Sequence, residues 1–119
     1  MAEPASDPEA LAAAFLAAER AVVLTGLRLG GPESLDLTHA HGEWAARASL
    51  EAFLTEPGRF WEYFYPTAQT IAARTPTAAH DALARLERAG VVSSLITQSV
   101  DRLHSRAGST DPVEVYGTV

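Results

Sequence analysis

Three short runs of β-branched and apolar residues set the architecture of this chain. They are "AVVLTG" at 21–26, "SSLITQ" at 93–98 and "VEVYG" at 113–117. Helical patterns precede the first run and separate each run from the next. Strands alternating with helices predict a parallel sheet with right-handed crossovers. The expected fold class is therefore α/β, with a partial parallel sheet of about three strands flanked by helices. The first run is apolar at every position from Ala21 to Leu24, which predicts a parallel strand buried on both faces.

The helices can be placed by their ends. Asp7 is a good cap, Pro8 suits the first helical position, and Glu9 favours the positive helix end. Leu11, Phe15 and Ala18 then recur at helical spacing. Residues 1–6 read as a frayed tail, and residues 7–119 as one domain. Trp44 to Leu54 reads as helical. "EPGRFWEYFYP" continues to Pro66, where a helix should break or kink. Its Phe60, Trp61 and Phe64 share one face, best read as a helix pair packed over a core. In "TPTAAHDALARLERAG", Thr75 is the expected cap, Pro76 the first helical residue and Gly90 the C-terminal glycine. Ala79, Leu83 and Leu86 should form its buried stripe. A short helix follows, with Val100, Leu103 and Ala107 facing inward and Gly108 closing it.

Composition narrows the function classes. The chain has 119 residues, a net charge of −6 and 47% hydrophobic residues. That length can bury a core without staples. No basic stripe exists, so nucleic acid is not an expected partner. Acidic charge also disfavours anionic membrane surfaces, and the apolar stretch 10–24 is interrupted by Glu19 and Arg20. Cysteine is absent, which excludes disulfides and thiolate metal sites. "MAEPASDPEA" lacks a basic n-region, so a cytoplasmic protein is the expectation. The preference for Ala and Arg over Lys suggests a GC-rich bacterial genome.

Strand, glycine-rich loop and helix in succession form a dinucleotide-binding layout. Gly26 to Gly42 is a long loop, and long loops in compact domains are usually functional. Beyond this layout, "AVVLTG", "FLTEPGRFWEYFY", "PTAAHDALARLERAG", "LITQSVDRLHSRAG" and "VEVYG" together resemble the sirtuin family, the NAD-dependent protein-lysine deacylases. The similarity covers roughly residues 10–119 and corresponds to the N-terminal half of that family. It implies a Rossmann-like, three-layer fold binding NAD. It also implies a family reaction in which an acyl-lysine carbonyl oxygen attacks the nicotinamide ribose, with a histidine as general base.

The departures bear on chemistry. The family's Gly-Ala-Gly-Ile-Ser loop is Gly26-Leu27-Arg28-Leu29-Gly30 here. Arg28 stands where backbone would approach a pyrophosphate, and its guanidinium could instead meet a phosphate. Asp36 matches the acidic residue of the family's Pro-Asp-Phe-Arg segment, whose arginine is missing. At the second strand's exit Thr97, Gln98 and Asp101 match, while Ser99 replaces asparagine. Tyr116 replaces the family's histidine. A tyrosine near its reference pKa of about 10 is protonated at neutral pH and makes a poor base. The family's zinc module has no counterpart, so no zinc is expected.

The expected cofactor site is a weakened NAD or ADP-ribose cradle of Thr25, Gly26, Arg28, Asp36, Gln98, Ser99 and Asp101. Tyr116 occupies the catalytic position and argues against turnover. The plainer reading of Asp101 is a cap on the short helix, with Ser99 competing for that role. The plainer reading of Tyr116 is a strand tyrosine covering the sheet end. The resemblance gives His80 and His104 packing roles. His39 and His41 could hold a metal only with Glu33, Asp36 or Glu43, and solvent-exposed loop residues are the simpler reading. Placing the first strand at an apolar edge predicts a homodimer through that edge. The alternative to an NAD-binding relic is an interaction module, whose partner would be an acyl-lysine protein, a full-length sirtuin or a second copy.

Overall fold

The computed structural model describes residues 7–26 and 46–119. Residues 1–6 and 27–45, including Arg28, Asp36, His39 and His41, lie outside the described residues. The elements in chain order are α1 (Pro8–Ala17), β1 (Ala21–Thr25), α2 (Leu50–Thr55), α3 (Pro57–Ala72), α4 (Ala78–Arg88), β2 (Val92–Thr97), α5 (Leu103–Arg106) and β3 (Val113–Glu114). The sheet is wholly parallel, in the order β1-β2-β3. This is the expected α/β, Rossmann-like arrangement, with β2 in the centre.

Register decides which side chains share a face. Val23 lies opposite Leu95, and Thr25 opposite Thr97. Thr25, Leu95 and Thr97 are buried, and α4 packs on β2 and on α5. Val22 pairs with Ser94, and Leu24 with Ile96, which pairs with Val113. That row forms the other face. Val22 is 63% and Leu24 66% exposed, and Val113 is exposed as well. The expectation of a strand buried on both faces is therefore corrected. Composition made β1 apolar throughout, but among the described residues helices cover only one side of it.

α1 starts as its sequence dictates. Asp7 Oδ1 accepts the Glu9 N–H at 3.1 Å, and Pro8 opens the helix. It buries no residue, so Leu11, Phe15 and Ala18 do not form a buried stripe. Residues 44 and 45 lie outside the described residues; Ala46 and Arg47 are helical, the chain bends at Ala48 and Ser49, and α2 runs from Leu50. Ser49 Oγ accepts the Ala52 N–H at 3.1 Å and caps it.

α3 continues through Pro66, so the helix does not break there. Proline removes one intrahelical N–H, but the surrounding bonds carry the helix on. The Thr70 hydroxyl adds a bond to the Pro66 carbonyl at 2.9 Å. Phe53 of α2 meets Phe60 edge-on at 5.1 Å, and Phe60 stacks on Phe64 at 5.4 Å. The aromatic residues thus join α2 to α3, as a helix pair. They do not lie over a core: Trp61 is half exposed, and Ile71 is the buried residue of α3.

α4 begins two residues later than its sequence suggested. Thr77, not Thr75, is the N-cap, and Pro76 precedes it instead of opening the helix. His80 decides this. Its Nδ1 accepts the Thr77 N–H at 3.2 Å and lies 2.8 Å from Thr77 Oγ1. This is a capping box with histidine in the place of glutamate. The buried stripe is consequently His80 and Ala84, with Leu83 and Leu86 half-buried and Ala79 exposed. Gly90, at φ +76°, ends the helix as expected, because a Cβ is disfavoured in that backbone state.

α5 buries Leu103 and His104, with Val100 and Ala107 only half-buried. β3 is just two residues long. Tyr116 lies beyond it, in the turn that the Gly117 N–H closes on the Glu114 carbonyl at 3.2 Å. It is 69% exposed, which corrects its reading as a strand residue covering the sheet end.

Candidate functional site

The C-terminal ends of parallel strands are where open α/β sheets bind ligands. Here β1 delivers Thr25 and Gly26, β2 delivers Gln98 and Ser99, and β3 leads into Tyr116. Backbone bonds hold these exits together. The Gln98 N–H donates to the Thr25 carbonyl at 2.9 Å, and the Val115 N–H to the Thr97 carbonyl at 3.0 Å. Four of the sequence-nominated residues, Thr25, Gly26, Gln98 and Ser99, therefore cluster at one sheet edge. Tyr116 sits at the same end, one residue past the Val115 contact. Arg28 and Asp36 fall outside the described residues.

Gly26 is not demanded by the protein's own packing. A Cβ there would meet Gln98 Oε1 at 3.8 Å, an ordinary contact. The neighbouring Gln98 side chain is exposed, and a glycine at a strand exit removes one obstacle to a ligand's close approach.

Ser99 turns inward. It is buried, its N–H donates to Thr97 Oγ1 at 3.0 Å, and its own Oγ lacks a partner among the described residues. Asp101 Oδ1 accepts the Leu103 N–H at 3.0 Å. It caps α5 from just outside the helix, and Ser99 does not compete for that bond. The N-cap itself is Arg102, at φ +58°.

The polar groups behind the sheet edge were the ones sequence reasoning undervalued. His104 is buried on α5, and its Nε2 lies 2.9 Å from Thr25 Oγ1. The His80 and His104 rings are 4.7 Å apart. Burial depresses both imidazole pKa values below the usual histidine range, and for His104 the neighbouring His80 depresses it further. Asp101 opposes the shift at both rings, Asp81 at His80 and Glu87 at His104. Both histidines are accordingly neutral at pH 7. A Thr-x-x-His spacing at 77–80 was the available signal for the capping role. Nothing in the sequence joins His104 to Thr25, 79 residues away.

A cavity of about 650 Å³ lies elsewhere among the described residues, lined by Arg47, Glu56, Arg59, Glu62 and Tyr63. Its acidic and basic residues balance, and no chemistry converges there. Among the described residues no group of three His, Asp or Glu side chains could hold a metal. The His39/His41 pair is outside them.

Comparison with known proteins fits this geometry. The sequence model of the Sir2 family matches residues 36–119. An NAD-dependent protein deacetylase of Sulfolobus acidocaldarius is 33% identical over 110 residues, covering 88% of this chain and 44% of that protein. A Sir2 homologue solved with NAD superimposes with a TM-score of 0.80 at 31% identity, over 92% of this chain and 45% of its own. A histidine-to-tyrosine mutant of Sir2, solved with a p53 peptide and NAD, gives 0.77 at 26% identity, over 95% and 46%. The chain spans about half the length of the relatives it matches.

Proposed function

We propose that this chain, which belongs to the Sir2 family, holds NAD or ADP-ribose weakly at the β1–β2 sheet edge without carrying out deacylation. The cradle is Thr25, Gly26, Gln98 and Ser99, with Asp101 capping the helix that follows; Arg28 and Asp36 lie outside the described residues. The observation that carries the reading is Tyr116. It stands in an exposed turn at the position where the resemblance puts the general base. A phenol lacks the unprotonated ring nitrogen with which a neutral imidazole takes a proton from a ribose hydroxyl. A Sir2 carrying a histidine-to-tyrosine substitution was solved with both a p53 peptide and NAD, so a substitution of that kind is compatible with binding.

NAD would supply the electrophilic ribose carbon, and this chain's residues would bind and orient it. Gly26 admits close approach, while the Gln98 side chain offers both a donor and an acceptor. The test is incubation with NAD and an acetyl-lysine peptide, with ADP-ribose binding measured in parallel. Binding with no release of nicotinamide is expected. Deacetylation at rates typical of enzymes would overturn the reading.

A second reading is an interaction module, favoured by the state of β1. Among the described residues it pairs with β2 alone. Ala21 and Thr25 bond toward β2, so the amides of Val22 and Leu24 point to the free side by strand alternation. Two copies paired antiparallel about Val23 would set Val22 against Leu24 of the other copy, with backbone bonds and apolar contact together. An acyl-lysine protein or a sirtuin are the other partners this surface could take. Sedimentation of the wild type against a Val22→Lys/Leu24→Lys variant tests the self-pairing: a dimer that the variant dissociates is expected, and a monomeric wild type would refute it.

A further inference from the structure

We infer that His104 is a positioning residue for the first β-to-loop turn, fixing the Thr25 hydroxyl as a hydrogen-bond donor for the acceptor oxygens of a nucleotide ligand. The inference rests on the reading of the β1–β2 edge as a nucleotide cradle.

The argument begins with a proton count. His104 is 2% exposed, and its Nδ1 has no partner among the described residues. A neutral imidazole carries one N–H and one bare nitrogen. If Nδ1 held the proton, a buried N–H would be orphaned, which is rarer and costlier than an under-satisfied acceptor. The proton therefore sits on Nε2 and is donated to Thr25 Oγ1 across 2.9 Å. Thr25 Oγ1 is then an acceptor in that bond and keeps its own proton to give. The donor stands one residue before Gly26, where the turn opens, and phosphate and ribose oxygens are the acceptors it suits.

His80 keeps this arrangement in place. Its Nδ1 is occupied by Thr77, and its ring packs 4.7 Å from that of His104. A second proton on His104 would create a buried cation beside that ring. Its charged and titratable neighbours are His80 and Glu87 on α4 and Asp101 ahead of α5. The two carboxylates do not cancel the burial. The neutral form, and with it the Thr25 bond, belongs to neutral and higher pH.

The experiment is a pH titration of ¹⁵N-labelled, ligand-free protein, followed by ADP-ribose binding at about pH 7.5 and 5.5. The Gly26 and Gln98 amides are expected to titrate with the midpoint of the His104 ring. Thr25→Val should abolish the Gly26 response while the ring still titrates, and Thr25→Ser should restore it. A merely structural histidine would not give that pattern of loss and rescue. Amides that stay still while the ring titrates, or that respond equally in Thr25→Val, would overturn the inference. ADP-ribose affinity should fall as pH is lowered through the midpoint of the His104 ring, and Thr25→Val should flatten that dependence. Coupled amides without ADP-ribose binding would uphold the positioning by His104 and refute the nucleotide reading. Should Thr25→Val fail to fold, loss of the coupling in His104→Gln with its retention in Thr25→Ser decides the matter.

Discussion

The two faces of the sheet share a backbone and differ in almost everything else. On the inner face, Leu95 and Leu103 are each all but fully buried, and a polar layer of Thr25, Thr97, His80 and His104 lies among them. On the outer face, Val22, Leu24 and Val113 stand in water. Hydrophobicity alone does not separate the two, since the outer row is as apolar as the inner. What separates them is covering. α4 packs on β2, and His104 of α5 reaches Thr25 at the end of β1. The lesson is that, among the described residues, the strand ends are braced from the inner face, while the outer face leaves apolar side chains exposed.

The largest expected contrast is in stability. Leu95→Ala or Leu103→Ala removes a side chain from a filled core and should cost about 2–5 kcal/mol in denaturant unfolding. Leu24→Ala, two-thirds exposed, should cost roughly 0.5 kcal/mol or less. An equal cost at Leu24 would break the comparison, because it would mean that something covers the outer face in solution.

Acid should act through the inner face. Both histidines have folded-state pKa values lowered by burial, so the unfolded chain binds protons more readily. Their contribution to stability is complete above the unfolded value of about 6.5 and is lost as pH falls from there through the folded values. The unfolding midpoint should drop across that window, and less steeply in His104→Gln. A midpoint that is flat below pH 6.5 would contradict the buried, neutral pair.

Turn positions sharpen the picture at a smaller scale. Gly90→Ala, forced to hold φ +76°, should destabilise by roughly 1 kcal/mol. Gly58→Ala in the first turn of α3 should be neutral or slightly stabilising, since its backbone is helical and open space surrounds it. A smaller effect still is expected at Tyr116→Phe, within about 0.5 kcal/mol, because the side chain is exposed. A large loss there would mean that the phenol is bonded to the sheet edge.

Much of this was readable from residue order, and the failures have physical causes. The parallel sheet, the Asp7 and Gly90 helix ends and the sheet-edge location of Gln98 follow from local chemistry. Thr75 and Thr77 are equivalent caps by local propensity. A tertiary choice, the burial of His80 against His104, selects Thr77. The same choice displaced the expected stripe from Ala79 to His80 and Ala84. Burial of β1 was misjudged because an apolar strand is only as buried as its neighbours make it. Pro66 was given too much weight, since one missing hydrogen bond does not end a 16-residue helix that aromatic packing against α2 supports. Of the candidate site, residue identity gave the strand ends but not their bracing. A contact across 79 residues leaves no local pattern.

The most direct test of the central claim is thermal unfolding of the whole chain with and without millimolar ADP-ribose. A ligand that binds only the folded state at tenfold excess over its Kd adds about 1.4 kcal/mol. For a domain of this size that is a rise in Tm of several degrees, on the order of 5 °C. The account predicts that rise, together with its loss in Thr25→Val at unchanged baseline cooperativity. A cooperative transition that ADP-ribose leaves unmoved would contradict it, and the sheet edge would then be no nucleotide site.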